Sequence, residues 1–110
     1  MTKEELRQYR SIKAEICQLE QKIHDMEHNQ AYSDITKPLL DMYREKLQAL
    51  VNTEIRVEKA FESLSPTERK LMRLRYIDGA DWLEICAAIQ YECAQTYRIH
   101  ARALSKIKNL

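Results

Sequence analysis

The stretch that decides the fold runs from Leu64 to Leu110 and reads LSPTERKLMRLRYIDGADWLEICAAIQYECAQTYRIHARALSKIKNL. It contains short helical segments separated by turn signals. Ser65 and Glu68 have the spacing of a capping box, and a proline falls in the first helical turn between them, so a helix is expected to begin here. The Asp-Gly pair at 78–79, which holds the only glycine of the protein, is expected to end this helix.

Two more helices are expected after that turn. Asp81 can cap the first of them, with Glu84 three residues later closing a second capping box. Trp82, directly after the cap, is interpreted as a packing anchor, and the alternative is that its indole N–H reaches a phosphate. A break at 90–92 separates this helix from a final, basic one. Two short helices around a tight turn are how a helix-turn-helix presents a recognition helix to the major groove.

The final helix divides into an apolar side and a polar side. The predicted inward stripe consists of Thr96, Ile99, Ala103, Leu104 and Ile107. Gln95, Arg98 and Arg102 lie on the opposite side, and glutamine and arginine can read adenine and guanine by paired hydrogen bonds. We therefore predict that Gln95 and Arg98 contact bases and that Arg102, Lys106 and Lys108 contact phosphates. The alternative is a basic face that is merely solvated.

Charge is unevenly distributed along the 110-residue chain. The formal net charge is only +1, but residues 1–63 carry 10 Lys/Arg against 12 Asp/Glu, whereas residues 64–110 carry 8 against 5. A local basic face is sufficient for binding nucleic acid, because counterion release depends on the phosphate contacts that are made. The low glycine and proline content, with 45% hydrophobic and 32% charged residues, predicts an all-α protein.

Residues 1–63 have the pattern of a helical hairpin that precedes the helix-turn-helix domain of residues 64–110. Apolar residues spaced three and four apart form a heptad seam along the first helix: Tyr9, Ile12, Ile16, Leu19, Ile23 and Met26. A polar stretch at 29–37 separates it from a second helix, and so short a loop favours an antiparallel, coiled-coil-like pair. Two helices do not cover both apolar stripes, so packing on the C-terminal segment or on a second copy is expected. We predict a homodimer that associates through Ile12, Ile16, Leu19 and Ile23.

No pattern in the chain indicates chemistry. Cys17, Cys86 and Cys93 form no CxxC pair, and His24 and His28 lack the further ligands of a metal site. The glycine-rich phosphate loop and the common catalytic motifs are missing. We expect a protein that is not an enzyme, binds no metal or cofactor and does not enter a membrane, and reduced cysteines favour the cytoplasm.

The C-terminal stretch resembles the fourth region of sigma factors, which ends in a helix-turn-helix. The matching elements are Leu64-Ser65-Pro66, Glu68-Arg69, Leu74-Arg75-Tyr76, Asp78-Gly79, Trp82 with Glu84-Ile85, and Arg102-Ala103-Leu104 with Ile107. The variant TYRIHARALSKI is similar to the sigma-like regulators of phages and prophages, the ArpU/RinA group. The resemblance implies a transcriptional regulator that binds double-stranded DNA near a promoter and acts with host RNA polymerase. It places the DNA-facing residues on the last helix, at Gln95, Arg98 and Arg102.

Two departures from this family, and two other functions, bear on the prediction. The turn at Gln90-Tyr91 lacks the usual glycine, and Glu92-Cys93 replaces the small hydroxyl residues usual at the start of the recognition helix. One alternative is a small terminase-like subunit that recognises DNA for packaging. The other is a sigma-like module that docks on RNA polymerase without touching DNA.

Overall fold

The computed structural model shows an all-α protein and describes residues 1–28, 34 and 36–109. Its five helices are α1 (Lys3–Glu27), α2 (Lys37–Glu62), α3 (Pro66–Tyr76), α4 (Trp82–Ile89) and α5 (Cys93–Ile107). The predicted loop at 29–37 lies largely outside the described residues. Among the residues that are described, no helix has both the length and the apolar composition needed to cross a bilayer.

The chain divides into two compact units, and both long helices contribute to each of them. The first unit combines residues 1–10 with residues 56–110, and the second consists of residues 11–55. The boundary predicted from the sequence, at 63–64, lies in the turn between α2 and α3. The C-terminal helices therefore share their unit with the start of α1 and the end of α2.

Local signals set the ends of α3 and α4. The Ser65 hydroxyl accepts from the Glu68 amide, and the Glu68 carboxylate accepts from the Ser65 amide, which confirms the predicted capping box. Gly79 follows α3 with φ +71°, a conformation that glycine adopts without steric penalty. Asp81 caps α4 by accepting from the Glu84 amide at 2.8 Å. The predicted reciprocal bond from Glu84 is not made in the described structure, so the second capping box is only half formed.

The core of the first unit draws residues from all five helices. Its fully buried members include Leu6 and Tyr9 of α1, Phe61 of α2, and Leu71 of α3. The Tyr9 hydroxyl donates to Glu58 of α2 at 2.8 Å. Of the two partners expected for the apolar stripes, the C-terminal segment is therefore the one that covers the beginning of α1.

The second unit covers the seam that was expected to bind a second copy. Ile16, Leu19 and Ile23 are 5%, 4% and 8% exposed within a single chain, and Ile12 is half-buried. Residues of α2 in this unit are correspondingly half-buried: Leu40, Tyr43, Leu47 and Leu50. This intramolecular burial removes the reason for expecting a second copy at the seam.

Ion pairs join α1 to α2 within the second unit. Glu27 pairs with Arg44 at 2.7 Å, near the end of α1 and the beginning of α2. Lys13 and Glu54, farther along each helix from that end, are 3.8 Å apart. All four side chains are at least partly exposed, so water screens both pairs and they contribute little to stability. Their value here is that they fix which parts of the two helices lie side by side.

Candidate nucleic-acid interface

The short turn between α4 and α5 contains no glycine, and a glutamine adopts the backbone conformation that glycine favours. Gln90 ends α4 in the left-handed conformation, at φ 61° and ψ 35°. This is the conformation that glycine favours and that other residues adopt at a cost of about 1–2 kcal/mol. Glu92 then stands at the N-cap of α5 without a capping bond from its side chain. α3 packs against both α4 and α5, which holds the pair in place.

The inner face of α5 differs from the predicted stripe at one position. Its buried residues are Thr96, Ile99, His100, Ala103 and Ile107. His100 takes the place expected for Leu104, which is only half-buried. The His100 Nε2 lies 2.7 Å from the Tyr76 hydroxyl of α3, so this nitrogen of the buried imidazole has a hydrogen-bonding partner.

An aromatic cluster surrounds His100. The Trp82 ring meets the rings of His100 and Tyr97 edge to face, with centroids 4.9 and 5.0 Å apart. The guanidinium of Arg75 lies 4.7 Å from the centre of the Trp82 ring. Burial, reinforced by the positive charges of Lys3 and Arg75, lowers the pKa of His100 to about 4. Half-buried Trp82 thus serves as a packing anchor between α4 and α5.

The opposite face of α5 carries the three side chains predicted to meet the groove. Gln95, Arg98 and Arg102 are all exposed. Their spacing of three and four residues places them on one side of the helix. Within the described part of the chain, none of the three has a hydrogen-bonding or ionic partner. Their donors and acceptors are therefore available to a ligand.

Lys106 has an intramolecular partner that the sequence analysis did not anticipate. Its ammonium lies 2.7 Å from Oε1 of Glu68, the carboxylate that closes the capping box of α3. Glu68 is 2% exposed, and its Oε2 has no hydrogen-bonding partner among the described groups. Removing Lys106 would leave a buried charge poorly compensated. We therefore expect Lys106 to act mainly in holding α5 on α3, and its phosphate contact stays a prediction.

Lys108 differs from Lys106, although the two lie close together at the end of α5. It is exposed, and its backbone carbonyl accepts from the Met1 amino group at 3.1 Å. Among the described residues its ammonium has no ionic partner. Lys108 thus keeps the free charge that a phosphate contact requires.

The cysteines are placed in three different surroundings. Cys17 is exposed, Cys86 is buried and Cys93 is half-buried. A hydrogen bond with Cys86, together with burial, raises the pKa of the Cys93 thiol. A raised pKa keeps a thiol protonated and makes it less nucleophilic. In the described part of the chain, no three His, Cys, Asp or Glu residues are grouped as a metal site would require.

Comparison with protein-family models, with curated proteins and with solved structures found no match to this chain.

Proposed function

We propose that this chain is a sequence-specific DNA-binding transcriptional regulator of phage or prophage origin. In this proposal α4 and α5 form a helix-turn-helix of the sigma region 4 type, and α5 enters the major groove. The observation that carries the proposal is the exposed face of Gln95, Arg98 and Arg102, which has no partner within the described chain. The left-handed Gln90 supports it as well, because it gives the turn the geometry for which other helix-turn-helix proteins use glycine.

Each side chain of this face has a proposed role. Gln95 and Arg98 lie in the first half of α5, where recognition helices usually meet base edges. Arg102 and Lys108 lie farther along the helix and would contact phosphates. Lys106 is excluded from this set because its ammonium is held by Glu68.

The hairpin and the protein partners are further parts of the proposal. The ion pairs between α1 and α2 support an antiparallel arrangement of these helices. We expect a homodimer and an action through host RNA polymerase, in keeping with the sigma-like resemblance. Because the Ile16 and Leu19 seam is covered within one chain, a dimer would have to use another surface. Sedimentation equilibrium would measure the oligomeric state directly.

Site selection followed by mutagenesis tests the proposal. Duplexes selected from a randomised pool give the preferred site, and fluorescence anisotropy compares its affinity with that of random duplex. Arg98→Ala should cost about 1–3 kcal/mol on the selected site and relax preference at one base pair. Arg102→Ala should weaken binding to selected and random duplexes alike. It should also lower the salt slope, the steepness with which the logarithm of the affinity falls against the logarithm of the salt concentration, by about one unit.

A matched control is Lys59→Ala, because Lys59 is an exposed cation of α2 outside α5. This variant should bind the selected site as the wild type does. If no sequence is enriched, or if the Arg98, Arg102 and Lys59 variants behave alike, the proposed interface is wrong.

A further inference from the structure

A second basic surface lies in the first unit, away from the helix predicted to read DNA. Three cations of α1 and one of α3 line a cleft of about 220 Å³ together with Tyr76 and Gly79; the cations are Lys3, Arg7, Arg10 and Arg75. Lys3, Arg7 and Arg10 are spaced four and three residues apart, which places them along one side of α1. The sequence pattern does not reveal this surface, because Arg75 is far along the chain from Lys3, Arg7 and Arg10.

The four cations of the cleft have no ion-pair partner within the described residues. Elsewhere in the same unit arginines are paired with carboxylates, as Arg56 is with Glu5 and Arg73 with Glu58. Two carboxylates act on this cleft: Glu4 acts on the Tyr76 phenol together with Arg75 and Arg7, and Asp81 interacts with Arg75. Two carboxylates do not balance four cations. The cleft therefore has a surplus of positive charge.

Contacts with neutral groups hold two of the cations in place. Arg75 lies over the Trp82 ring, and its Nη1 is 3.4 Å from the Ala80 carbonyl oxygen. Arg10 lies against Gly79 so closely that a Cβ at this position would overlap its Nη1. Gly79 thus provides both the left-handed turn and the space for the guanidinium. A site whose cations are held without neutralisation is organised for an anion, and guanidinium groups match the geometry of phosphate oxygens.

The cleft lies beside α5. Lys3 lines it and also lines a neighbouring cavity with Ala101 and Ser105 of α5. Ala101 is three residues after Arg98, so it lies next to the proposed reading face. A phosphate backbone leaving the groove beside Ala101 would meet Lys3 first and the cleft next.

We propose that the Lys3, Arg7, Arg10 and Arg75 cleft binds a phosphate of the DNA backbone outside the groove that α5 enters. The proposal deepens the proposed function and rests on it for the identity of the phosphate donor. The contact carries no sequence information, because every nucleotide presents the same phosphate. This contact extends the DNA-binding surface beyond α5 and onto α1.

The test compares two double variants with the same change in charge. Lys3→Gln with Arg7→Gln alters the cleft and leaves Arg75 in place against Trp82. Lys37→Gln with Lys59→Gln removes two exposed cations of α2 and serves as the control. The cleft variant should lower the salt slope of duplex binding by about two units, equally on selected and random sequences. The control should keep the wild-type slope, and circular dichroism should show that both variants remain folded.

A second measurement uses inorganic pyrophosphate and the amide of Gly79, the only glycine in the chain. In a ¹H–¹⁵N spectrum this amide should shift saturably with pyrophosphate in the wild type and the control, but not in the cleft variant. Equal salt slopes for the two double variants would overturn the proposal. A saturable Gly79 shift combined with equal slopes would also overturn it, by assigning the cleft to a free phosphate compound. A wild-type chain that binds no duplex would refute the proposed function, and the Gly79 titration alone would then decide whether the cleft takes phosphate.

Discussion

Replacement of Lys106 by alanine should destabilise the fold and leave DNA binding intact. The Lys106 ammonium lies 2.7 Å from a carboxylate oxygen of Glu68, and that oxygen also accepts from the Ser65 amide at 2.9 Å. The alanine variant removes the cation and leaves the buried carboxylate with the hydrogen bond from the Ser65 amide. A phosphate contact at Lys106 would give the opposite pattern, with weaker DNA binding and an unchanged fold.

The size of the effect follows from the exposure of the two partners. A hydrogen bond to a charged group contributes about 1.5–3 kcal/mol, whereas an exposed ion pair contributes at most about 1 kcal/mol. The Glu68 side chain is 3% exposed and the Lys106 side chain 45%, so this pair falls between the two cases. We expect a loss of about 1–2 kcal/mol and a fall of roughly 4–10 °C in the midpoint of thermal unfolding.

Lys108→Ala is the matched control, since Lys108 is an exposed cation beyond the end of the same helix. Urea unfolding should show a loss of stability for Lys106→Ala and little change for Lys108→Ala. The salt slope of duplex binding should fall only for Lys108→Ala. A double-mutant cycle with Glu68→Gln should give a coupling of at least about 0.5 kcal/mol between the two positions. A Lys106→Ala variant with wild-type stability and a lower salt slope would refute this reasoning and restore the phosphate role.

Acidification provides an independent check on this ion pair. Burial alone would raise the pKa of the Glu68 carboxyl, but the hydrogen bonds from Lys106 and Ser65 outweigh it and lower the pKa below its ordinary value of 4.5. The Glu68 carboxyl group therefore ionises more readily in the folded state than in the unfolded state. Its contribution to stability is present above pH 4.5 and is lost as the pH falls through the lowered value. Glu68→Gln should remove this part of the pH dependence.

Three further predictions concern the turns and the buried histidine. Gln90→Gly should raise the free energy of unfolding by up to about 1 kcal/mol, because glycine relieves the left-handed conformation, and Gln90→Val measured by urea unfolding should lower it. In an NMR titration of its imidazole protons, His100 should remain neutral until the pH falls to about 4. Because the imidazole of the unfolded chain takes up its proton near pH 6.5, the free energy of unfolding should fall as the pH drops from 6.5 to about 4. An imidazole that titrates near pH 6.5 in the folded protein would contradict its burial against Tyr76. Asp81→Ala should cost about 0.5–2 kcal/mol through loss of the α4 cap and leave duplex affinity unchanged well below the melting temperature; lost affinity at wild-type stability would instead place Asp81 in the interface.

Features encoded by neighbouring residues could be predicted from the sequence. The cap at Ser65, the cap at Asp81 and the turn at Gly79 each depend on residues within about one helical turn, and all three appear where the pattern indicates them. The exposed side of α5 could likewise be predicted from helical periodicity, since Gln95 and Arg98 lie opposite its apolar stripe.

Features that depend on distant partners could not be predicted in this way. His100 is buried because Tyr76, 24 residues earlier, supplies its hydrogen bond, and Lys106 is engaged by a carboxylate 38 residues away. A histidine and a lysine on a basic helix look like surface residues until the partner is known. Gln90 is a different case, because packing of the helices on either side imposes a backbone conformation that its own residue type disfavours.

The discontinuous composition of the first unit has a consequence for how the protein can be dissected. A fragment of residues 64–110 would contain α3, α4 and α5 but would lack Leu6, Tyr9 and Phe61, which are fully buried in the same core. Such a fragment exposes the apolar surface that these side chains cover, and we expect its circular dichroism to show little cooperative unfolding. The Tyr9–Glu58 contact joins residues 49 positions apart in the sequence, so this core requires the ends of a long chain segment to meet and should form more slowly than the individual helices. A shortened chain intended for DNA-binding studies should therefore join residues 1–10 to residue 56 through a linker rather than begin at residue 64.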